Sequence, residues 1–552
     1  MQQSTMRSTI ECVCSGKGPP VRTALIALTL LSIPLVFFRL GSYSVVNGDE
    51  AIYQDIALRM LETGDWLTLR SGNEPRVYDT FMNAPIQYWA RAALVSAFGQ
   101  NLWTMRILSA GFALATVLMV YRLVLLLADR RAAFLAGLIQ LTTFQFLYLH
   151  SARTGELEPI LSFLFAATAF LFIRALEDPR RGFVLHHLCL IALLNLKLPV
   201  ILMPLLAELA CFASSSRARA RFKDWGRTGA ILLPFGILWH VYQAFQLWGP
   251  FLEVVSEMGR HARNAPGFKG DTGIVTNLAY YSRRLLFGAF PYSLAYPLAL
   301  IAVPWRRFGP NTEAPSTEAQ SAEADRYRVL GFFALAIVIF YLLVSKHGPW
   351  YWIPLYPFLS ALLGVWLSDL GKRSAGTALL LAVALLFSLL FWVRPEMPDY
   401  NPFARTALYI PMRSTWRSLG ALGPALGVPL FTAASLALLL ALRRALAERF
   451  ERHLAVWVSC LLIAPAALRV ALPLRHLGYQ SPVARVRVEI DADRAAGKTL
   501  RYPIAVPRAH LWIVRYYFWR DFEIEPGPRD PATGRPLDRS ATYELHPLRA
   551  PR

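Results

Sequence analysis

Uninterrupted apolar runs near twenty residues long constrain this chain more than any other feature. An α-helix rises about 1.5 Å per residue, so about twenty residues match the roughly 30 Å hydrocarbon core of a bilayer. About thirteen runs can be marked: residues 23–40, 104–128, 132–149, 157–175, 183–196, 198–213, 229–249, 285–304, 329–345, 350–369, 376–393, 425–442 and 454–473. The expected fold class is therefore an all-α polytopic membrane protein with about 13 transmembrane helices. Composition agrees: 55% of the 552 residues are hydrophobic and 17% charged, where soluble domains carry about 25% charge. This excludes a soluble globular protein, disorder and collagen. The five cysteines do not form a disulfide framework, since Cys189, Cys211 and Cys460 lie in apolar runs and Cys12 and Cys14 in a short N-terminal tail.

The net charge of +21 would suggest nucleic acid if it formed one continuous basic face, but it sorts by loop. Short basic loops carry Arg130 and Arg131, Arg180 and Arg181, Arg217 to Arg227, Arg306 and Arg307, Lys372 and Arg373, and Arg443 and Arg444. The positive-inside rule puts these loops and the tail 1–22 in the cytoplasm. Membrane lipids, not nucleic acid, are the expected partners of this charge. The first run resembles a signal peptide but is long for one and has no A-x-A site, so it is read as a retained helix.

The opposite face receives residues 41–103 and 474–552, with medium loops at 250–284 and 394–424. Residues 23–473 form the transmembrane body, interrupted by a cytoplasmic linker at 305–328 whose acidic stretch Asn311–Asp325 reads as solvated. The C-terminal tail alternates short β-like runs, RVRVEI and HLWIVRYYFW, with Pro, Gly and Arg-rich turns, which predicts a small external α+β domain. Arginine far outnumbers lysine, suggesting a GC-rich bacterial genome. The expected location is the bacterial inner membrane, with the N-terminus cytoplasmic and the C-terminus periplasmic.

The first external loop runs against the overall charge. Asp49 and Glu50 follow the first helix almost at once, in NGDEAIYQDIALRMLETGDW. Carboxylates where a chain leaves the bilayer are costly to desolvate, which makes them candidate proton acceptors. The segment after Asp49 reads as an amphipathic helix that stops at Gly64 and should lie along the interface. A plainer reading has Asp49 cap this helix and Glu50 occupy its first turn; cap and catalyst are compatible roles.

GDEAIYQDIALRMLETGDWLTLR, YDTFMNAPIQYW and FGQNLWTMRILSAGFALATV, followed in order by HSARTGELEPILSFLF, NLKLPVILMPL and VSKHGPWYWIPLYPFLSALLG, resemble the GT-C class glycosyltransferases that use polyprenyl-phosphate sugars. These include lipid A aminoarabinose transferases and protein O-mannosyltransferases. The resemblance covers roughly residues 23–370 and implies a GT-C fold, with interfacial helices in the first external loop. It also implies transfer of a sugar, with inversion, from a polyprenyl-phosphate donor to an acceptor lipid, glycan or protein hydroxyl on the periplasmic face. The family's catalytic aspartate carries over to Asp49 with Glu50 beside it, and Glu158 stands where a second aspartate is usual. A phosphate leaving group needs neutralising charge. Lys197, Lys346 and Arg153 are the candidates.

The lysines have an alternative in snorkelling to lipid headgroups, and Arg153 with Glu156 and Glu158 one in a salt-bridged loop. Lysine is scarce here, so its retention at both matching positions favours function. Tyr53, Asn83, Glu156 and Arg260 are candidate substrate contacts. The chain departs from the aminoarabinose transferases at Ile52, where they carry an arginine, and at Met82-Asn83-Ala84-Pro85, where they carry Glu-Lys-Pro-Pro; two phosphate-handling side chains are missing. A divalent cation beside the carboxylates stays open, since a lipid monophosphate leaving group does not require one.

His186, His187 and His240 lack the partners of a metal centre and are read as packing or interfacial residues. Trp66, Trp89, Trp103, Trp350 and Trp352 lie near span ends, where an aromatic belt and sugar stacking are both plausible roles. Two other function classes compete: a transporter or lipid flippase, against which the charges gather at the external boundary with no visible repeat, and a non-catalytic relative that kept only the fold.

Overall fold

The computed structural model describes residues 19–45, 48–70, 83–178, 182–246, 273–289, 291–296, 318–344, 348–370, 481–507, 511–518, 521–526 and 541–547, with a few isolated positions between them. The runs expected at 376–393 and 425–442, most of 454–473, and the candidate residues Lys346 and Arg260 lie outside the described residues. The helices, in chain order, are α1 (Val21–Ser32, continued by a π-helical turn Ile33–Phe37), α2 (Gly48–Thr63), α3 (Ile86–Phe98), α4 (Leu102–Leu127), α5 (Arg130–Leu141), α6 (Phe144–Tyr148), α7 (Glu158–Glu177), α8 (Val184–Leu194), α9 (Leu202–Ser214), α10 (Ser216–Ala220), α11 (Phe222–Gln246), α12 (Ile274–Gly288), α13 (Glu318–Leu343) and α14 (Tyr356–Leu370). Four stretches, Leu102–Leu127, Glu158–Glu177, Phe222–Gln246 and Gln320–Leu343, are long and apolar enough to cross a membrane, and Val21–Phe37, Val184–Leu194, Leu198–Ser214 and Ile353–Asp369 are shorter apolar helices.

Local sequence explains where the central helices begin. Asn101 caps α4, its side chain receiving the N–H groups of Trp103 and Thr104 while Thr104 reaches back in a capping box. Asp129 caps α5. Proline follows Glu158 at the start of α7, where its missing N–H costs nothing. The centre of the bundle is α4 packed on α5 and α7, with α14 against α5. A side chain on Gly364 of α14 would meet the Ala132 carbonyl and the Ala136 Cβ of α5, so small residues let these two backbones approach closely, as in other membrane bundles. Ser360 donates to Gln140 at 3.0 Å, and Ser368 to Asp129 at 3.1 Å, across the same contact.

Several expectations about the elements need correction. The run 132–149 is two helices, because the chain turns at Thr142–Thr143. The run 285–304 begins too late: α12 starts at Ile274 inside the expected external loop, and Asn277 is anchored to the Leu342 carbonyl of α13 at 2.8 Å. The cytoplasmic linker ends early, since α13 starts at Glu318; Asp325 is buried and paired with Arg328 at 2.8 Å. Lastly, α2 is not half-exposed. Ile52, Tyr53, Ile56 and Met60 join the main core, while Ala51 joins a second core together with Val45, Met105 and C-terminal residues. Burial on both sides replaces the one-faced interfacial helix.

That second core is supplied by residues 481–547, which form α15 (Pro482–Ala495), β1 (Ile504–Pro507), α16 (Leu511–Phe518), β2 (Phe522–Pro526) and β3 (Ala541–Pro547). The antiparallel sheet has order β1-β3-β2. Both sequence runs read as strands are helical here: RVRVEI lies in α15, capped by Ser481, and LWIVRYYF is α16. Val483 on α15 and Ile513, Val514 and Phe518 on α16 turn the alternation into a buried helical face. The packing of α14 on α5 carries a prediction. Gly364→Leu forces branched carbons into the Ala132 carbonyl, at a cost of about 1–3 kcal/mol or more. Thermal unfolding in detergent should show a clearly lowered Tm, whereas Gly331→Leu, where a Cβ meets nothing within 4 Å, should not.

Candidate active site

The site forms where the loop 149–157, between α6 and α7, meets the start of α2. The loop is built to bring acids together. Its carbonyls are taken up by buried side chains: Tyr43 donates to Arg153 O, Arg91 to Gly155 O at 2.5 Å, and Ser109 to Glu156 O at 2.5 Å. Gly155 has φ +64° and lies 3.0 Å, at its notional Cβ, from the Met105 carbonyl. Glycine is required on both counts.

Asp49 stands in the first turn of α2, which begins at Gly48, so it is not the cap of that helix. Its Oδ2 lies 3.1 Å from Nε2 of His150. The other ring nitrogen, Nδ1, is 3.1 Å from Oε2 of Glu158, and Nε2 is also 3.5 Å from Glu156. His150 is held in the left-handed region at φ +56°, a conformation that costs a non-glycine residue of order 1–3 kcal/mol and recurs at functional sites. Its ring stacks on Trp350 with centroids 3.8 Å apart and planes within 4°.

Exposure assigns the members different tasks. The Asp49 side chain is 40% exposed, against 9% for His150, 3% for Glu158 and 0% for Glu156. Among these four, Asp49 alone can meet a substrate broadly. Burial by itself would lower the His150 pKa, but the Glu156 and Glu158 carboxyls, with hydrogen bonds to Asp49 and Glu158, overcome it and hold the imidazole well above its usual value. Glu156 is raised well above the ordinary carboxylate range, chiefly by burial; His150 opposes this and Asp49, Glu158 and Glu50 add to it. Both shifts run toward tighter proton binding within one buried group of an imidazole and three carboxyls.

Glu50 has another place. Its side chain is fully buried, and both its oxygens receive the Arg106 guanidinium, at 3.1 and 3.3 Å. Arg106 also donates to the carbonyls of Leu40, Tyr43 and Ser44, so this pair ties the end of the first helix to α2 and α4. Removing one partner of such a pair leaves an uncompensated buried charge, worth about 3–5 kcal/mol. The 44–45 turn is gripped from outside as well: Tyr517 accepts the Val45 N–H at 3.1 Å, and Ser44 accepts the Ser481 N–H at 2.8 Å.

Arg153 is likewise buried. It donates to the carbonyls of Leu35, Val36 and Phe38 at 2.8 to 3.0 Å, capping the C-terminal end of the first helix rather than joining the acids. Tyr53 is buried edge-on to Tyr88 at 5.9 Å with the Arg91 guanidinium 5.5 Å from its ring centroid. Asn83 is mostly buried next to Ala84, whose N–H bonds the Leu196 carbonyl at 3.1 Å, one residue before Lys197. Lys197 is half-buried, its Nζ 5.0 Å from the ring centroid of Tyr351. Because Trp350 stacks on His150 and the adjoining Tyr351 faces Lys197, one short aromatic segment links the acid cluster to the lysine.

Asp49, His150 and Glu156 each offer one ligand atom, all within 4.8 Å of one another, a spacing one cation could bridge. Metal binding would need the neutral imidazole, so metal and proton compete for Nε2.

Sequence reasoning missed His150 and Arg106. The signal was present: Arg106 interrupts an apolar run, and His150 lies in the same HSARTGELEP segment as Arg153 and Glu158.

A family model described as dolichyl-phosphate-mannose-protein mannosyltransferase matches residues 82–240. That stretch holds Arg106, His150, Glu158 and Lys197 but begins after Asp49. No curated protein sequence matches significantly. The crystal structure of ArnT from Cupriavidus metallidurans bound to undecaprenyl phosphate is similar at 20% identity, covering 89% of this chain and 84% of that one, with a TM-score of 0.58. The same protein in the apo state gives 20% identity, 89% and 83% coverage, and 0.53.

The site predicts a pH dependence. Both shifted groups bind a proton more tightly folded than unfolded, so stability falls as pH rises, from about 4.5 upward for Glu156 and from about 6.5 upward for His150. Tm measured in detergent between pH 6 and 9 should decline, and His150→Gln should decline less steeply. An unchanged slope in the variant would contradict the assignment.

Proposed function

We propose that this membrane protein, which has the fold of the GT-C glycosyltransferases, transfers one sugar from a polyprenyl-phosphate carrier to an acceptor hydroxyl with inversion. The observation that carries the reading is the pairing of one partly exposed carboxylate, Asp49, with a half-buried lysine, Lys197, at two ends of a single aromatic segment. The matching family's name and the undecaprenyl phosphate bound to ArnT support the donor class.

In the proposed reaction Asp49 takes the proton of the acceptor hydroxyl as its oxygen forms a bond to the anomeric carbon. The bond from that carbon to the phosphate oxygen breaks on the opposite side, and the polyprenyl phosphate leaves with the electron pair. Lys197 would meet the growing negative charge, with Lys346 as a second phosphate ligand on the sequence argument. Arg153 is withdrawn from that role by its helix-capping bonds. His150 holds one oxygen of Asp49 and orients the carboxylate, while Glu158 fixes the imidazole from behind. Glu50 positions α2 through Arg106 and does not touch substrate.

A divalent cation at Asp49, His150 and Glu156 would replace the imidazolium proton, and sensitivity of transfer to EDTA separates the two states. The periplasmic face of the bacterial inner membrane is the proposed location.

Membranes carrying the protein, incubated with a panel of polyprenyl-phosphate sugars and analysed by mass spectrometry for modified lipid, glycan or protein, test the activity. Asp49→Asn should lose about 10² to 10⁴ in rate, the usual worth of a positioned base, with Tm nearly unchanged. Near-full transfer by that variant would sink the role of Asp49. Ion-coupled uptake without covalent change would instead favour transport.

A further inference from the structure

A second polar site lies at the other end of the bundle. Sixteen positions separate Arg106 from Arg122 along α4, and sixteen separate Glu158 from Arg174 along α7. At about 1.5 Å per residue both arginines stand about 24 Å from the Asp49 cluster, most of a hydrocarbon core away. They line one cavity of about 520 Å³, open on one side, whose other walls include Leu125, Phe170, Leu171 and Leu185. Leu185 is 64% exposed and Val184 beside it 50%, so the apolar wall runs outward to the surface that faces lipid.

Charge decides what fits. Among the described residues neither Arg122 nor Arg174 forms an ion pair, and no acid lines the cavity. Glu177, one turn beyond Arg174, is taken by Arg326. His186, which also lines the cavity, is bonded to Glu208 at 2.9 Å, and Glu208 to Trp225 at 2.8 Å. Two guanidiniums are therefore left facing an apolar groove at headgroup depth. Arginine binds phosphate bidentately, and basic pockets between transmembrane helices suit anionic headgroups.

We infer that this groove holds an anionic glycerophospholipid of the leaflet opposite the Asp49 cluster. Its phosphate sits between Arg122 and Arg174, and an acyl chain lies along Phe170, Leu171 and Leu185. The inference does not depend on the proposed transferase activity, because its site shares no residue with the Asp49 cluster.

Native mass spectrometry of the purified full chain, titrated separately with phosphatidylglycerol, phosphatidylcholine and undecaprenyl phosphate, tests it. The wild type should retain phosphatidylglycerol in preference to phosphatidylcholine, and undecaprenyl phosphate, which the Asp49 site would also take, should not displace it. The double variant Arg122→Gln, Arg174→Gln should weaken that retention about tenfold or more, the worth of one charged hydrogen bond or better, and Asp49→Asn should leave it unchanged. Arg122→Gln alone, at an exposed position, gives a smaller loss in the same direction and serves if the double variant does not fold. Equal retention by the variants, equal retention of phosphatidylcholine, or loss of phosphatidylglycerol to undecaprenyl phosphate at this groove would overturn the assignment.

Discussion

Everything at the site depends on one buried ion pair. Arg106 inside α4 meets Glu50 inside α2, and the remaining donors of the guanidinium close the carbonyls of Leu40, Tyr43 and Ser44. An arginine buried in a membrane bundle is tolerable only when its charge is matched and its donors are used. The match fixes the angle at which the chain leaves the first helix and enters α2. Asp49, one residue before Glu50, inherits its position from that angle. The C-terminal unit braces the same turn through Tyr517 and Ser481, so a segment more than four hundred residues away helps to set the depth of the carboxyl.

A second constraint is electrostatic. Asp49, Glu156 and Glu158 lie close to one another, with Glu50 nearby, and such a group cannot stay fully ionised in a poorly solvated place. The arrangement eases this with one imidazole between two carboxyls, a buried Glu156 that holds a proton more tightly than an ordinary carboxyl, and Glu50 committed to Arg106. One carboxyl keeps access to the outside. A strained His150 and a stacked Trp350 maintain the order, and the same tryptophan segment brings Lys197 into range.

How much of this could be read from residues alone follows from the kind of signal each feature leaves. Long apolar runs mark α4, α7 and α13 because burial in lipid demands an unbroken pattern. The acids at 49, 50 and 158 stood out as charges at span ends. The division between Asp49 and Glu50 did not, since adjacent carboxylates look alike until the partner arginine, 56 residues on, is in place. His150 was hidden by its ordinary neighbours; only the fold stacks it on Trp350. Arg153 was legible as a cation but not as the cap of a helix more than a hundred residues earlier. The runs in α15 and α16 misled because alternating apolar residues in a short window fit a strand or a helix that is buried on more than one face.

In the proposed reaction Asp49 and Lys197 flank one reaction centre on a polyprenyl-phosphate sugar. A cryo-EM or crystal structure of the full chain with a non-hydrolysable polyprenyl phosphonate sugar tests it most directly. The phosphonate should lie within about 3–4 Å of the Lys197 ammonium, a salt-bridge distance, with the anomeric carbon turned toward the Asp49 carboxylate on the side opposite the phosphonate. A lipid phosphonate bound away from Lys197, or an anomeric carbon facing away from Asp49, would contradict it.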